Sequence, residues 1–155
     1  MDIFNQFWVP RKIYKPCGMF TEGHMILLLI SVCVLTFLLI ISIKITVEKI
    51  DILTKVFAVS LTFLEGIKIF FNFYWGYTKV NYWFPISFCS IFIYALWMSG
   101  FTNGYLKKLG DSFITGVTVV AGGAYLLFPS TSLTAYPIGH YLCIYSMLFH
   151  TLMIY

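Results

Sequence analysis

Long apolar stretches separated by short polar segments dominate the hydrophobic pattern of this chain. A helix needs about 20 largely apolar residues to cross a hydrocarbon core about 30 Å thick. Because lipid offers no partner for an unpaired backbone amide, we expect these stretches to be helices and not open strands. The pattern predicts about five transmembrane spans, at residues 24–43, 52–75, 82–98, 112–128 and 133–155.

The segment before the first span has a different pattern. Residues 1–22 combine aromatic side chains such as Trp8 with cations such as Arg11 and Lys15. The segment lacks the long apolar core of a signal peptide. This mixture favours a position at the membrane–water interface, and a flexible tail is the alternative. We therefore predict a single all-α domain over residues 1–155, a polytopic transmembrane helical bundle with a short interfacial N-terminal segment.

Composition supports a membrane location. The chain is 60% hydrophobic and only 10% charged, with a net charge of +4, whereas soluble domains are about 25% charged. The basic residues are spread over helix edges, where they meet anionic headgroups, so we expect membrane lipids and no nucleic acid as partners. None of the four cysteines forms a C-x-x-C pair, and we expect no metal and no cofactor. These features indicate a multi-pass protein of the cell membrane.

The second predicted span contains charged residues that hydrocarbon penalises. Glu65 and Lys68 are three residues apart and so share a helix face, and Asn72 continues the same stripe. A charge at mid-bilayer costs about 2.5–3.5 kcal/mol on insertion scales and normally marks a site. Two interpretations remain open: an internal ion pair that fixes helix packing, or a binding pair in a polar cavity.

The expected depths place several reactive groups in one half of the membrane. At about 1.5 Å per residue, Lys68 and Cys89 lie roughly 10 Å inside the edge at which His24 lies. His140 is shallower and His150 lies nearer the midplane. We predict that these groups line a shared wet cavity, with Ser87 beside Cys89. A histidine near a cysteine can activate the thiol as a nucleophile.

The fourth predicted span carries small residues at helical spacing. Ser112 with Gly116, and Thr118 with Gly122, form small-x-x-x-small pairs, and Gly123 widens the smooth patch. Such a face lets helix backbones approach closely. We expect it to serve packing, either within the chain or against a second copy or a partner membrane subunit.

Four sequence segments resemble the YwaF family of bacterial integral membrane proteins. They are MFTEGHMILLL in the first span, LEGIK in the second, FPISFCS with Pro85 in the third and YSMLFHTLMIY in the last. The resemblance covers most of the chain, with all four segments in the family's order. Two positions depart from the family pattern: Ser87 and Phe149 stand where the family has histidine and serine.

That family is related to transmembrane protein 164, an acyltransferase that moves fatty acyl groups between phospholipids. The resemblance implies that Cys89 is the acyl-accepting nucleophile and His150 the general base. Family members continue with further spans, so the resemblance also implies that the last helices are lacking here or are supplied by another chain.

Three hypotheses about function follow from the sequence. The first is lipid acyl transfer or lipid hydrolysis at Cys89 and His150. The second is a small-molecule binding or transport subunit, with Cys89 dispensable and a site lined by Glu65, Lys68, His24 and His140. The third is a structural or assembly subunit that docks a partner helix on the glycine-rich fourth span.

Overall fold

The structure of the chain, a computed structural model, describes residues 3–84, 87 and 89–155. Its described part is helical and contains no strand. Three helical segments are long and apolar enough to cross a membrane: Glu22–Ser42, Glu48–Tyr74 and Gly104–Leu127. The all-helical class is therefore confirmed, and these three segments could span a membrane by length and composition, whereas the five-span topology stays a prediction.

Seven α-helices follow a short 3₁₀ turn at Ile3–Gln6 in the described residues. In chain order they are α1 (Glu22–Ser42), α2 (Val47–Tyr74), α3 (Val80–Trp83), α4 (Ile91–Phe101), α5 (Gly104–Gly116), α6 (Thr118–Leu127) and α7 (Tyr141–Ile154). The third candidate span joins α5 and α6 across Val117, whose backbone remains in the right-handed helical region.

Helix α1 has the surface expected of a segment in lipid. Only His24, Leu27 and Ser31 are buried along its length. Large apolar side chains such as Leu29 (64% exposed) and Phe37 (63% exposed) point away from the protein. In water this surface would cost about 25 cal/mol for every Å² of apolar area, and in hydrocarbon it costs nothing comparable.

The predicted third span, 82–98, is broken in the structure. Helix α3 ends at Trp83, and α4, with 11 residues, begins only at Ile91. Phe84 has extended backbone (φ −108°, ψ 132°), the conformation that a following proline imposes. Pro85 itself lies outside the described residues, so the bending effect expected of it stays a prediction.

The helices near the predicted fourth and fifth spans also differ in their bounds. Residues 104–110, expected to be loop, are the first two turns of α5, which starts at Gly104 (φ +66°) after the extended residue Asn103. The last helix is shorter than predicted, because residues 128–140 form turns and α7 begins at Tyr141.

The chain forms two compact units. The first unit combines the residues up to Ile40 with Ala121–Tyr155, and the second is Ile41–Val120. In the first unit the N-terminal arm, which we define as residues 7–18, packs on the loop before α7, where Cys17 N donates to Tyr136 O at 2.9 Å.

In the second unit α4 packs against both α2 and α5. Gly110 of α5 makes this close approach possible, because a Cβ there would lie 2.6 Å from Ala95 O and 2.7 Å from Ser99 N. The chain leaves α2 through Gly76, which has the left-handed backbone (φ +69°) that favours glycine.

Part of the glycine-rich patch packs against another helix of the same chain. A Cβ on Gly122 would lie 2.7 Å from His150 O, so α6 and α7 touch through this glycine within the first unit. Gly116 and Gly123 have open space around them. Docking of a partner helix on this patch remains a prediction.

Candidate functional site

His24, at the start of α1, is fully buried and hydrogen bonded on both ring nitrogens. Its Nδ1 accepts from Phe20 N at 3.0 Å, and its Nε2 lies 2.9 Å from Leu126 O. Because a backbone N–H can only donate, Nδ1 carries no proton and Nε2–H is the donor to the carbonyl. The imidazole thus links the start of α1 to the end of α6, which favours a packing role.

His140 repeats this arrangement at the start of α7. It is the N-cap of α7, where its Nδ1 accepts from Leu142 N at 3.0 Å. Its Nε2 therefore carries the proton and donates to Val9 O at 3.0 Å. Burial lowers the pKa of His140 to about 4, and the bond to Val9 acts in the opposite direction. The ring is neutral at pH 7.

His150, in α7, has the opposite tautomer. Its Nδ1 lies 2.6 Å from Ser146 O, so Nδ1–H donates and Nε2 is the basic nitrogen. The ring is buried and stacks on Tyr125, with centroids 3.6 Å apart and planes within 8°. A ring fixed through Nδ1–H with Nε2 left basic is the arrangement that a general base requires.

The tyrosine that stacks on this ring begins a short chain of hydrogen-bonded hydroxyls in the first unit. Tyr125 Oη lies 2.8 Å from Ser132 Oγ, and Ser132 Oγ lies within hydrogen-bond distance of Ser146 Oγ. Sequence reasoning missed all three residues. Ser146 had a usable signal, because it lies four residues before His150 on the same helix face. Tyr125 and Ser132 had none, since their contacts join segments far apart in sequence.

Glu65 and Lys68 form the ion pair that their spacing predicts. Lys68 Nζ contacts Glu65 Oε1, with the Glu65 side chain 4% exposed and that of Lys68 23% exposed. Asn72, one turn further along α2, donates instead to Tyr82 O at 2.9 Å and so fixes α3 to α2. The acidic end of the pair is therefore buried and the ammonium is accessible.

Cys89 lies in the short segment between α3 and α4 and is half-buried. Burial raises the pKa of the Cys89 thiol, and the positive charge of Lys68 acts in the opposite direction. The second unit therefore brings Lys68 within electrostatic reach of Cys89. Ser87 is exposed, and its Oγ lies 2.7 Å from Ser90 Oγ.

The predicted site residues fall into two groups according to unit. Glu65, Lys68, Asn72, Ser87 and Cys89 belong to the second unit, and the three histidines belong to the first. The chemistry available in the second unit is that of a thiol on which the charge of an ammonium acts. In the first unit it is that of one basic imidazole nitrogen beside hydroxyls.

Metal binding has no support in the described part of the chain, where no group of three or more His, Cys, Asp or Glu side chains is placed to hold an ion. The four cysteines, Cys17, Cys33, Cys89 and Cys143, are free thiols.

Comparison of the chain with protein-family models, with curated proteins and with solved structures gives no match. The resemblance to the YwaF family therefore rests on the four sequence segments alone. The roles that it implies for Cys89 and His150 remain predictions.

Proposed function

We propose that this multi-pass membrane protein transfers acyl groups between lipids, with Cys89 as the acyl acceptor and Lys68 as the charge that favours its thiolate. One observation supports the proposal most: Cys89 is half-buried, and the positive charge of Lys68 acts against the burial that raises the pKa of its thiol. The thiolate is the nucleophilic form of cysteine, and an adjacent cation stabilises it. The sequence resemblance independently implies the same nucleophile.

The buried carboxylate of Glu65 has a defined part in this arrangement. It forms an ion pair with the Lys68 ammonium and is itself buried, whereas the Lys68 side chain is 23% exposed. A flexible lysine loses side-chain entropy when it is fixed, and the ion pair offsets that loss before substrate arrives. Glu65 is thus a positioning residue, which acts on the thiol through Lys68.

The position of Lys68 within α2 suits a lipid substrate. Lys68 lies six residues before the helix end at Tyr74, which is about 9 Å along the axis. In a helix long enough to span the membrane, this depth is just inside the headgroup region, where the ester groups of phospholipids lie. An acyl chain can then reach the thiol without leaving hydrocarbon.

The proposed step is balanced in atoms and charge. The Cys89 thiolate attacks the ester carbonyl of a phospholipid, the C–S bond forms and the ester C–O bond breaks. The departing lysophospholipid alkoxide takes up the proton that the thiol released. Attack by the hydroxyl of a second lysophospholipid on the thioester then forms a new ester and regenerates the thiol.

The resemblance implies that His150 moves this proton, and its tautomer suits a base. The hydrogen bond from Nδ1 to Ser146 O and the stacking on Tyr125 orient the ring and leave Nε2 basic. The acyl-accepting role of Cys89 is separate from this assignment, because Cys89 belongs to the second unit and His150 to the first.

Labelling with a phospholipid that carries an alkyne-tagged acyl chain tests the proposal. The purified protein should acquire a hydroxylamine-sensitive label that is lost in Cys89→Ser and kept in Cys33→Ser, the control at an exposed thiol of α1. Lys68→Arg should keep most of the label, and the charge-compensated double variant Glu65→Gln with Lys68→Met should lose most of it. Labelling at Cys33 alone, or no labelling, would contradict the proposal.

The accessible ammonium also favours a second function, binding or transport of a small anionic molecule. A buried carboxylate in a candidate span normally marks a site, and Lys68 presents its charge at the surface. Mass spectrometry of small molecules that copurify with the protein distinguishes the two functions. A ligand that is lost in Glu65→Gln and kept in Cys89→Ser would favour binding over acyl transfer.

A further inference from the structure

The N-terminal arm is fixed to the first unit at both of its ends. At its start Phe7 O accepts a hydrogen bond from Tyr141 N at 3.0 Å, and at its end Gly18 N donates to Leu133 O at 2.7 Å. Backbone hydrogen bonds of this kind fix position whatever the side chains are. The middle of the arm is therefore a loop anchored at two points, and its side chains lie in defined places.

Arg11 is oriented within this loop. Its Nε donates to Tyr136 Oη at 3.0 Å, and its guanidinium carbon lies 5.4 Å from the centre of the Tyr136 ring. Tyr136 is almost completely buried and stacks on His140, with ring centres 4.1 Å apart. A guanidinium fixed in this way loses little further freedom when it binds an anion, which favours affinity.

The arm and the loop before α7 line an open pocket of about 560 Å³. Three cations line it, Arg11, Lys12 and Lys15, and Thr134 and Ala135 contribute from the loop. No acidic side chain is among the described residues that line the pocket. Like charges in one pocket repel each other, and a bound anion relieves that repulsion.

The backbone at Lys12 is unusual for a residue with a Cβ. Its φ is +72°, in the left-handed region that favours glycine. Backbone of this kind is concentrated at functional sites and persists where surrounding contacts require it. Here it allows the chain to turn between the anchored Arg11 and the rest of the pocket.

We propose that this pocket binds the phosphate of an anionic phospholipid headgroup. Arginine and lysine together are the side chains that proteins use for phosphate groups. The source is a lipid because the same region exposes Ile13 (61%) and Phe20 (64%), and the candidate span begins directly after it at Glu22. The inference goes beyond acyl transfer and does not depend on Cys89.

Calorimetric titration of the full-length protein in uncharged detergent tests this proposal with short-chain phosphatidic acid as the probe. The test variant is Lys12→Gly with Lys15→Gln, since glycine suits the backbone at position 12. Lys44→Gln with Lys49→Gln is the matched control, because both lysines are exposed and lie outside the pocket. We expect phosphatidic acid to bind roughly tenfold more weakly to the test variant and unchanged to the control.

Two further titrations identify which part of the lipid the pocket recognises. Short-chain phosphatidylcholine should bind much more weakly than phosphatidic acid, because its headgroup has no net charge. Glycerol 3-phosphate supplies the same phosphate without acyl chains and should also bind weakly. Equal weakening in the test and control variants would overturn the proposed pocket, and tight binding of glycerol 3-phosphate would overturn the lipid as the source.

Discussion

The two units of this chain accommodate their polar side chains in different ways. In the second unit charged residues pair locally, as in the ion pairs of Lys68 with Glu65 and of Lys55 with Asp51 at helical spacing. In the first unit the buried histidines His24 and His140 bond to backbone far away in the sequence. The buried histidines of the first unit thus join segments far apart in sequence. In the second unit two ion pairs form within one helix, and a third, Lys107 with Asp51 at 3.5 Å, joins α5 to α2.

This difference has a functional meaning. Residues that bond on every polar atom to backbone, such as His24, have little capacity left for chemistry. A local ion pair with one accessible member, such as Lys68, retains a charge that can act on a neighbouring thiol or ligand. Reactivity is therefore expected at Cys89 in the second unit and at His150 in the first.

Removal of Lys68 should have the largest effect on stability. Lys68→Met takes the ammonium away from a carboxylate that is 4% exposed, and breaking such a pair costs about 3 kcal/mol. Thermal unfolding in detergent measures this loss. The double variant Glu65→Gln with Lys68→Met removes both charges and should recover most of the stability. A double variant as unstable as the single one would show that charge compensation is not what the pair contributes.

Two adjacent glycines of α6 test the packing of the first unit. Gly122→Ala should destabilise the protein by about 2 kcal/mol, because its Cβ would lie 2.7 Å from the backbone oxygen of His150. Gly123→Ala is the matched control, since nothing lies within 4 Å of its Cβ and alanine favours a helix. Equal unfolding temperatures for the two variants would contradict the contact of α6 with α7.

Acid should lower the stability of the first unit through protonation of His140. The pKa of His140 is about 4 in the folded protein, below the 6.5 of an unperturbed histidine, so the unfolded chain binds the proton first. The contribution of neutral His140 to stability is fully present above about pH 6.5 and is lost progressively as the pH falls to about 4. Unfolding temperatures measured across this range check the effect.

The matched variant for this pH dependence is His140→Asn. Asparagine can still accept from the backbone at an N-cap, but it does not titrate. Its unfolding temperature should therefore depend less on pH between about 6.5 and about 4 than that of the unmodified protein. An unchanged pH profile would show that another group causes the acid sensitivity.

Local features of the fold could be predicted from the sequence. The apolar runs predicted the long helices α1 and α2, and the spacing of three residues predicted the pair of Glu65 and Lys68. Both depend on helical periodicity alone. The break between α3 and α4 also had a local signal in Pro85, but the apolar run around it favoured one continuous span.

Contacts between distant segments could not be predicted in the same way. Nothing in the sequence indicates that His24 bonds to Leu126 O, or that Tyr125 stacks on His150. The sequence shows that a histidine is present, and its burial and tautomer depend on which backbone group it meets. The grouping of candidate residues into two units has the same origin, since chain segments far apart in sequence form the first unit.

The central claim is that the positive charge of Lys68 lowers the pKa of Cys89 relative to the same thiol without that charge. The pH dependence of Cys89 alkylation tests this claim most directly. Iodoacetamide reaction at Cys89 is followed by peptide mass spectrometry, with Cys33 as the internal reference. We predict that Glu65→Gln with Lys68→Met shifts the apparent pKa of Cys89 upwards, because the favourable charge is gone, and that Lys68→Arg leaves it close to the unmodified protein. An identical profile in all three proteins would contradict the claim that the lysine acts on the thiol.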